Sequence, residues 1–333
     1  MLHQHLLQLI ADKLRVIPLC LKPSIVVTSI LLLSSSAIAL FLAACDLMPA
    51  RSLSTTPTVT AIPNPVATLT ASSKSPPSTA EQYYSRGKAF YLLGDYDHAL
   101  RDFDHAIKLK PDYEKAYHGR GLSYGSKGDF DNAMSDFNQA IKLNPDYFQA
   151  YRDRGFTFHI KGEFDLALKD YNKAIDLNPK YPEAYFQRGL TYSKKKEYDN
   201  AIADYAEALR QQPDYWQVYH NRSYAYNQKG EYILAIADST RCIELNPMDG
   251  GAYGNRAFGY YNVGNADQAI ADATEGIRLQ PEYGYNYYVR GLAYMAKDDH
   301  DHARDDFQQA IALTQDADLR EKAIKQLLAP EQN

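Results

Sequence analysis

The sequence predicts an all-α protein, a solenoid of seven helix-turn-helix repeats. Six prolines recur at an unbroken spacing of 34 residues, from Pro111 to Pro281. Between them, apolar residues recur in phase at the steps of three and four that mark one face of a helix. A repeat of this length buries its apolar face against its neighbours, so we expect one elongated domain with a long exposed face.

Each copy contains two apolar stripes with helical spacing. In the first copy, Tyr83, Gly87 and Phe90 mark the first helix, whereas Phe103 and Ile107 mark the second. The same stripes recur along the chain in phase with the prolines. The seven copies begin at Ala80, Glu114, Phe148, Pro182, Trp216, Gly250 and Gly284, and the last one ends at Ala317.

Turn and cap residues delimit these helices. Glycines such as Gly94 and Gly128 lie between the two helices of a copy, where a left-handed backbone conformation ends a helix. The recurring proline stops the second helix, because it lacks an amide donor and clashes with the preceding turn. The segment Ser78–Glu81 predicts a capping box before the first helix. A final capping helix is predicted over residues 318–328, with an apolar stripe of Leu319, Ala323, Ile324, Leu327 and Leu328.

These copies resemble the tetratricopeptide repeat family. Counted within a copy, the family's aromatic residue at position 4, small residue at 8, aromatic residues at 11 and 24, alanines at 20 and 27 and proline at 32 are nearly all present. Position 4 is tyrosine in every copy, where the family often has tryptophan. The resemblance covers Ala80 to Ala317 and implies a right-handed α-solenoid whose concave surface binds protein or peptide ligands.

A charged pair also recurs in the repeat. An arginine is found at position 7 and an aspartate at position 23, beginning with Arg86 and Asp102. One interpretation is a row of guanidinium groups that bind ligand carboxylates, since arginine presents a planar fork. The interpretation that we favour is that each arginine pairs with an aspartate, because unpaired charges beside a packed helix face are costly.

Copies five and six depart most from the pattern. Ser239 and Ala273 replace the aromatic residue at position 24, and Ala266 and Gly276 reduce the side-chain volume of copy six further. Smaller side chains bury less apolar surface. We therefore expect the stack to be weakest at these two copies.

In the tetratricopeptide family, ligands usually lie along the concave surface of the first helices, at positions 2, 5, 9, 12 and 13. Carried over to this chain, these positions are rich in aromatic and amide side chains, which suit an extended peptide or a partner helix. About half of the rings are expected to pack against the neighbouring helix instead. The candidate partner-binding residues are Tyr84, Lys88, Tyr91, His118, Arg152, Phe156, His159, Phe186, His220, Tyr224, Asn227, Phe258 and Tyr288.

The first 45 residues predict an export signal. Lys13, Arg15 and Lys22 precede an apolar stretch over residues 24–44, which is followed by Cys45. The Leu-Ala-Ala-Cys sequence at this point resembles the lipobox of bacterial lipoproteins, in which the cysteine becomes the lipidated first residue of the mature chain. The alternative is an uncleaved membrane helix, for which about 21 residues are long enough. Both interpretations place the repeats outside the cytoplasm.

The remaining segments follow from composition. The stretch after the cysteine is rich in serine, threonine and proline with hardly any charge, which predicts a disordered tether. The predicted organisation is a signal peptide over residues 1–45, a tether over 46–79, seven repeats over 80–317, and a capping helix and tail over 318–333.

The sequence contains no motif that indicates catalysis, such as a phosphate-binding glycine loop, zinc-binding cysteine pairs or a nucleophile elbow. Residues 298–302, Asp-Asp-His-Asp-His, contain potential metal ligands, but they fall in the turn of the seventh copy, where polar residues are expected anyway. Cys242 replaces a helix-packing alanine and is interpreted as a small buried side chain, not a nucleophile. We expect no enzyme activity, no metal and no cofactor.

Charge and architecture together indicate the class of function. The formal net charge of −5 argues against a nucleic-acid partner. The sequence predicts a protein-binding scaffold that is lipid-anchored on the extracytoplasmic face of a bacterial cell membrane. Two alternatives are a lipid-anchored receptor for a small solute and a structural module that self-associates.

Overall fold

The computed structural model describes residues 76–328. Within this range it contains no strand, and its fifteen helices form seven pairs followed by a single C-terminal helix. The predicted signal peptide, nearly all of the tether and the last five residues lie outside the described range. The helices are α1 Ala80–Leu92, α2 Tyr96–Leu109, α3 Glu114–Ser126, α4 Phe130–Leu143, α5 Phe148–Ile160, α6 Phe164–Leu177, α7 Pro182–Lys194, α8 Tyr198–Gln211, α9 Trp216–Lys229, α10 Tyr232–Leu245, α11 Gly250–Asn262, α12 Ala266–Leu279, α13 Gly284–Met295, α14 His300–Leu313 and α15 Ala317–Leu327.

The first helix of each pair begins at the residue where the sequence pattern begins a copy. At the start of α1, Oγ1 of Thr79 accepts a hydrogen bond from the Gln82 amide, and the Gln82 side chain accepts one from the Thr79 amide. A capping box is therefore present, but Thr79 and Gln82 form it, one residue after the Ser78 and Glu81 ends of the predicted segment. The left-handed turn position is glycine in five copies and is occupied by Lys196 and Asp298 in copies four and seven, with φ of 62° and 61°.

Position 8 packs against position 24 within a copy. In copy three, a β-carbon added at Gly155 would lie 3.0 Å from the ring of Tyr171, which is fully buried. Copies one, two, four and seven pair a glycine with a Phe or Tyr ring in the same way. The missing side chain at position 8 therefore makes room for the aromatic ring at position 24.

In copies five and six, the side chains at positions 8 and 24 are both small, in contrast to the glycine and aromatic ring of the other copies. A β-carbon at Gly276 would lie only 2.8 Å from the carbonyl oxygen of Gly250, so the backbones of α11 and α12 approach closely. The helices at these junctions also contact each other more extensively than elsewhere in the stack. Both positions are small and let the helices approach, so copies five and six are closely packed, and a lower stability of the stack at these copies stays a prediction. Positions 8 and 24 are Ser223 and Ser239 in copy five, and Ala257 and Ala273 in copy six.

Every copy contains one two-point Arg–Asp pair, which confirms the pairing interpretation. In copy three, Nε and Nη2 of Arg154 donate to the two carboxylate oxygens of Asp170, each at 2.7 Å. Its Nη1 donates to Oδ1 of Asn138 in the preceding copy, also at 2.7 Å. The pairs are Arg86–Asp102, Arg120–Asp136, Arg154–Asp170, Arg188–Asp204, Arg222–Asp238, Arg256–Asp272 and Arg290–Asp306.

The same arginines explain the tyrosine at position 4. The guanidinium carbon of Arg154 lies 5.5 Å from the ring centre of Tyr151, one helical turn earlier, and all seven copies repeat this stacking. The hydrogen bonds to Asp170 raise the pKa of Arg154, so the guanidinium stays charged. Each arginine therefore ties the two helices of its copy together.

A second ladder of ion pairs joins neighbouring copies near the turns. Nζ of Lys161 lies 3.0 Å from Oδ1 of Asp131 in the preceding copy, and four further junctions repeat the pair. At the junction of copies five and six, the equivalent positions hold Ile233 and Val263, which are both exposed. This ladder is therefore interrupted at one junction of the described chain.

The C-terminal helix α15 covers the last copy. It begins one residue before the predicted helix, with Asp316 as its N-cap. Ala323 is buried against the core of copies six and seven, together with the partly buried Leu319. Ile324 and Leu328 are exposed, in contrast to the predicted stripe, because only one narrow face of this short helix meets α13 and α14.

Candidate functional site: the concave groove

The first helices line the inner side of the stack. First helices of adjacent copies contact each other, as α9 contacts α11 and α11 contacts α13, whereas second helices of adjacent copies make at most marginal contact. The stack therefore curves with its first helices inside. We call the surface formed by positions 5, 9, 12 and 13 of the first helices the concave groove.

The floor of the groove is built where position 5 of a copy packs against position 34, the last residue of the same copy. The rings of Tyr84 and Tyr113 lie 5.2 Å apart, and those of Phe186 and Tyr215 also lie 5.2 Å apart. Phe186 and His118 are buried, so most of their surface is used to join adjacent copies. The expectation that part of the candidate set serves packing therefore holds at these positions.

A buried polar network joins copies two and three at this floor. Nε2 of His118 donates to Oδ2 of Asp153 at 2.7 Å, while its Nδ1 accepts from the hydroxyl of Tyr147 at 3.1 Å. Arg152 contacts the other oxygen of Asp153 at 2.9 Å and lies over the ring of Tyr181. Burial opposes ionisation of Asp153, but Arg152 and His118 outweigh it and hold its pKa below the usual range. The carboxylate is therefore a structural anion already matched by two partners.

His159 is also held by the neighbouring copy. Its Nδ1 lies 2.8 Å from the hydroxyl of Thr191, which itself donates to the carbonyl oxygen of Gln187. Nδ1 is therefore the donor in the first bond. Burial, with a smaller effect of Lys194, lowers the pKa of His159, so its ring is neutral near pH 7. This is a positioned, uncharged ring at the groove, not an acid catalyst.

Amide side chains join copies five and six. Asn227 is buried, and its side-chain nitrogen donates to the carbonyl oxygen of Asn255 at 2.8 Å. Asn255 in turn donates to the hydroxyl of Ser223 and to the carbonyl oxygen of His220. These bonds run between α9 and α11, so Asn227 presents an internal contact and little groove surface.

The accessible part of the groove lies in copies one to five. Lys88 and Tyr224 are exposed, and the ring of Tyr224 keeps 38% of its surface accessible. Ile160 at position 13 of copy three is 46% exposed. It was not among the candidate residues, although its position in the repeat marks it as groove-lining. The half-buried candidates are Tyr84, Tyr91, Arg152, Phe156, His159, His220 and Phe258.

The groove is filled at its C-terminal end. Tyr288 is only 8% exposed, because it belongs to the apolar cluster that includes Ala323 of α15. This places Tyr288 beneath the capping helix, where it offers little surface to a partner. On the same helix, burial raises the pKa of Tyr285 well above its usual value.

Potential metal ligands cluster at two places in the described chain. In the turn of copy seven, Asp299 caps α14 and its carboxylate lies 2.8 Å from Nδ1 of His302, so these groups already satisfy each other on an exposed surface. The second cluster comprises His220, Cys242 and Asp249. Burial, followed by the charge of Asp249, raises the pKa of the Cys242 thiol, which favours the protonated form in the metal-free chain.

An open depression of about 600 Å³ lies beside Tyr117 and Arg120. Two of its charged side chains pair with each other, since Arg120 donates to both oxygens of Asp136. Among residues 76–328, no helix is sufficiently long and apolar to cross a membrane.

Models of tetratricopeptide repeats match more than half of the chain. The matched segments are residues 87–128 and 155–196 for the TPR repeat model, 114–147 and 182–215 for one tetratricopeptide repeat model, and 217–248 and 285–316 for another. No curated protein gives a significant match.

Solved structures share this fold. A tetratricopeptide repeat protein from Parabacteroides merdae is 21% identical, covers 75% of this chain and 99% of its own, and has a TM-score of 0.57. A chain of the APC/C hetero-tetramer Cut9–Hcn1 is 15% identical, with 80% of this chain and 52% of that chain covered and a TM-score of 0.64. Pseudomonas aeruginosa pilF is 15% identical, with 61% and 92% covered and a TM-score of 0.56. The chain belongs to the tetratricopeptide repeat family, whose domains commonly mediate protein–protein interactions and generally serve as scaffolds rather than enzymes.

Proposed function

We propose that this protein is a membrane-tethered, extracytoplasmic scaffold that binds an extended peptide or a partner helix in its concave groove. The observation that carries the proposal is the accessible surface of copies three to five. Phe156 and Ile160 of copy three and Tyr224 of copy five carry apolar surface there, and Lys194 of copy four and Gln228 of copy five are exposed.

This arrangement suits a macromolecular ligand. Aromatic side chains supply large contact area at a small cost in conformational entropy, and a polar rim around them provides directional hydrogen bonds. The floor beneath them is held by specific contacts, because His118 bonds to Asp153 of the next copy, Arg152 pairs with the same Asp153, and the ring of Phe186 packs against that of Tyr215. A preorganised floor reduces the entropy lost on binding.

Membrane tethering is part of the proposal and rests on the sequence alone. The Leu-Ala-Ala-Cys segment that ends at Cys45 resembles a lipobox, and the Ser/Thr/Pro-rich stretch over residues 46–79 gives reach to the repeats behind it. Its test is mass spectrometry of the mature chain together with membrane fractionation of Cys45→Ala. An acylated N-terminus at residue 45 and release of the variant from membranes are expected. A chain that begins at Met1, or a variant that stays attached, contradicts lipidation.

The two alternatives have distinct signatures. A receptor for a small solute needs an enclosed site, whereas the depression beside Tyr117 and Arg120 is open, and Arg120 is paired with Asp136. A self-associating module would elute as an oligomer, which size exclusion with light scattering detects.

The groove proposal is tested with photocrosslinking residues placed singly in the full chain in intact cells. Positions 156 and 224 lie in the groove, and position 169 lies on the exposed side of the second helix α6. The proposal expects the same protein to be captured from 156 and 224 and not from 169. Capture from 169 alone, or of unrelated proteins from 156 and 224, contradicts it.

A further inference from the structure

Three positions of the repeat change together at the junction of copies five and six. Position 27 is alanine or glycine in the other copies but Cys242 here. Position 34 is tyrosine before every other junction but Asp249 here, and position 5 of copy five is His220. In copies one, two and four the residues at positions 5 and 34 contact each other through rings, as Phe186 and Tyr215 do. In copy five, positions 5, 27 and 34 together hold three metal-ligating groups.

The structure brings these three groups to one point from three elements. Nδ1 of His220, on α9, donates to Oδ2 of Asp249 at 2.8 Å. Sγ of Cys242, on α10, lies 3.4 Å from the same oxygen. All three donor atoms lie within 4.8 Å of one another, and Cys242 is fully buried.

The first amides of α11 orient the carboxylate of Asp249 toward His220 and Cys242. Its other oxygen, Oδ1, accepts from the amides of Gly251 and Ala252 at 3.1 and 3.2 Å, which directs Oδ2 toward His220 and Cys242. Gly251 also gives the imidazole room, because a β-carbon there would lie 2.7 Å from Cε1 of His220. Supporting contacts of this kind orient metal ligands in known sites.

The two distances to Oδ2 of Asp249 fit a small tetrahedral ion after modest adjustment, and the sulfur of Cys242 and Nδ1 of His220 lie within 4.8 Å of each other. Zinc binds nitrogen and oxygen at about 2.0–2.2 Å and sulfur at about 2.3 Å, which places tetrahedral ligands roughly 3.3–3.6 Å apart. The sulfur–oxygen distance of 3.4 Å is already in this range, and the nitrogen–oxygen distance of 2.8 Å needs to open by about half an ångström. The His220 side chain is 28% exposed, so an ion and a fourth, water ligand can enter from the groove.

We propose that His220, Cys242 and Asp249 form a zinc site that joins the two helices of copy five to the N-cap of α11, the first helix of copy six. The mixed sulfur, nitrogen and oxygen donors favour zinc over magnesium or calcium, which prefer oxygen alone. The zinc–sulfur bond forms as the thiol proton leaves to solvent, and Nδ1 of His220 loses its proton while Nε2 becomes protonated, so that the imidazole stays neutral. The zinc–nitrogen and zinc–oxygen bonds then replace the hydrogen bonds that His220 and Cys242 donate to Oδ2 of Asp249. The ion would join α9, α10 and the start of α11 across a junction where the Lys–Asp ladder is interrupted.

The test uses the full chain with zinc alone and with cobalt as a spectroscopic probe. We expect one zinc per chain, a Tm that rises with zinc concentration, and a thiolate-to-cobalt charge-transfer absorption. Cys242→Ala introduces the residue found at position 27 in five copies, so we expect it to fold. It should lose the cobalt absorption of this site and bind zinc at least about tenfold more weakly, since loss of even a supporting contact weakens metal sites by 10- to 100-fold.

Two further variants separate this site from others. His220→Phe introduces the residue of copy four, and we expect it to lose zinc affinity as Cys242→Ala does. His302→Ala removes a ligand from the exposed Asp–His turn of copy seven and should leave the zinc-dependent rise in Tm unchanged. No zinc-dependent rise in wild-type Tm, or an equal rise in Cys242→Ala and His220→Phe, overturns the proposal.

Discussion

The Arg–Asp pair of copy three offers a direct test of how the stack is held together. Arg154 makes two hydrogen bonds of 2.7 Å to Asp170, whose side chain is only 6% exposed. Replacing either residue with alanine strands its partner at a mostly buried site, which costs about 3–5 kcal/mol. The double variant strands neither charge, so it should cost clearly less than the sum of the two single variants, with a coupling of about 2–3 kcal/mol.

The assay is urea unfolding of wild type, Arg154→Ala, Asp170→Ala and the double variant, followed by circular dichroism. The matched control combines Arg154→Ala with Asp136→Ala, because Asp136 pairs with Arg120 and shares no partner with Arg154. These two changes should add to within about 0.5 kcal/mol. Strict additivity in the Arg154–Asp170 cycle would refute the structural role of the ladder and favour a ligand clamp.

Three further changes have definite expected outcomes. Ser239→Ala removes a buried hydroxyl without a hydrogen-bond partner and should stabilise the chain by about 1 kcal/mol in urea unfolding; destabilisation would contradict this. Lys196→Gly relieves a left-handed backbone at φ 62° and should raise the free energy of unfolding in urea. Lys194→Gly, at the end of α7, should instead lower this free energy by about 1 kcal/mol. A change of the same sign in both variants would be inconsistent with backbone strain. Asp153 has a lowered pKa in the folded chain, so its stabilising effect is present above about pH 4 and is lost as the pH falls below it. The destabilisation caused by Asp153→Asn should therefore be smaller at pH 3 than at pH 7, and equal values would contradict the assignment.

The positions of the helices could be predicted from the sequence because the same start and stop signals recur in successive copies. The start of a copy, the glycine that ends the first helix and the proline that follows the second are local signals, and they recur in phase. The pairing of the arginine at position 7 with the aspartate at position 23 was also predictable, since one charge of each sign in every copy indicates an ion pair. The third hydrogen bond of Arg154, to Asn138 in the preceding copy, has no such signal, because position 25 varies among Asp, Asn, Ala, Thr and Gln.

Packing between copies could not be predicted from local pattern. Copies five and six lack the aromatic residue at position 24, but the loss is matched by small residues at position 8 and by the close approach of Gly250 and Gly276. This exchange depends on two helices at once. The burial of His118 and Tyr288 likewise depends on partners in the next copy or in α15, so groove positions taken from the family include residues that serve the core.

The central claim, that partners bind in the concave groove, is tested most directly by affinity measurements with the protein captured by photocrosslinking. Phe156→Ala and Tyr224→Ala remove partly accessible groove rings, while Lys169→Ala changes the exposed side of α6; unchanged helicity and Tm are checked for each. Each groove variant should lose about 2 kcal/mol of binding free energy, and Lys169→Ala should stay within about 0.5 kcal/mol of wild type. Normal binding by both groove variants, with lost affinity in Lys169→Ala, would contradict the account.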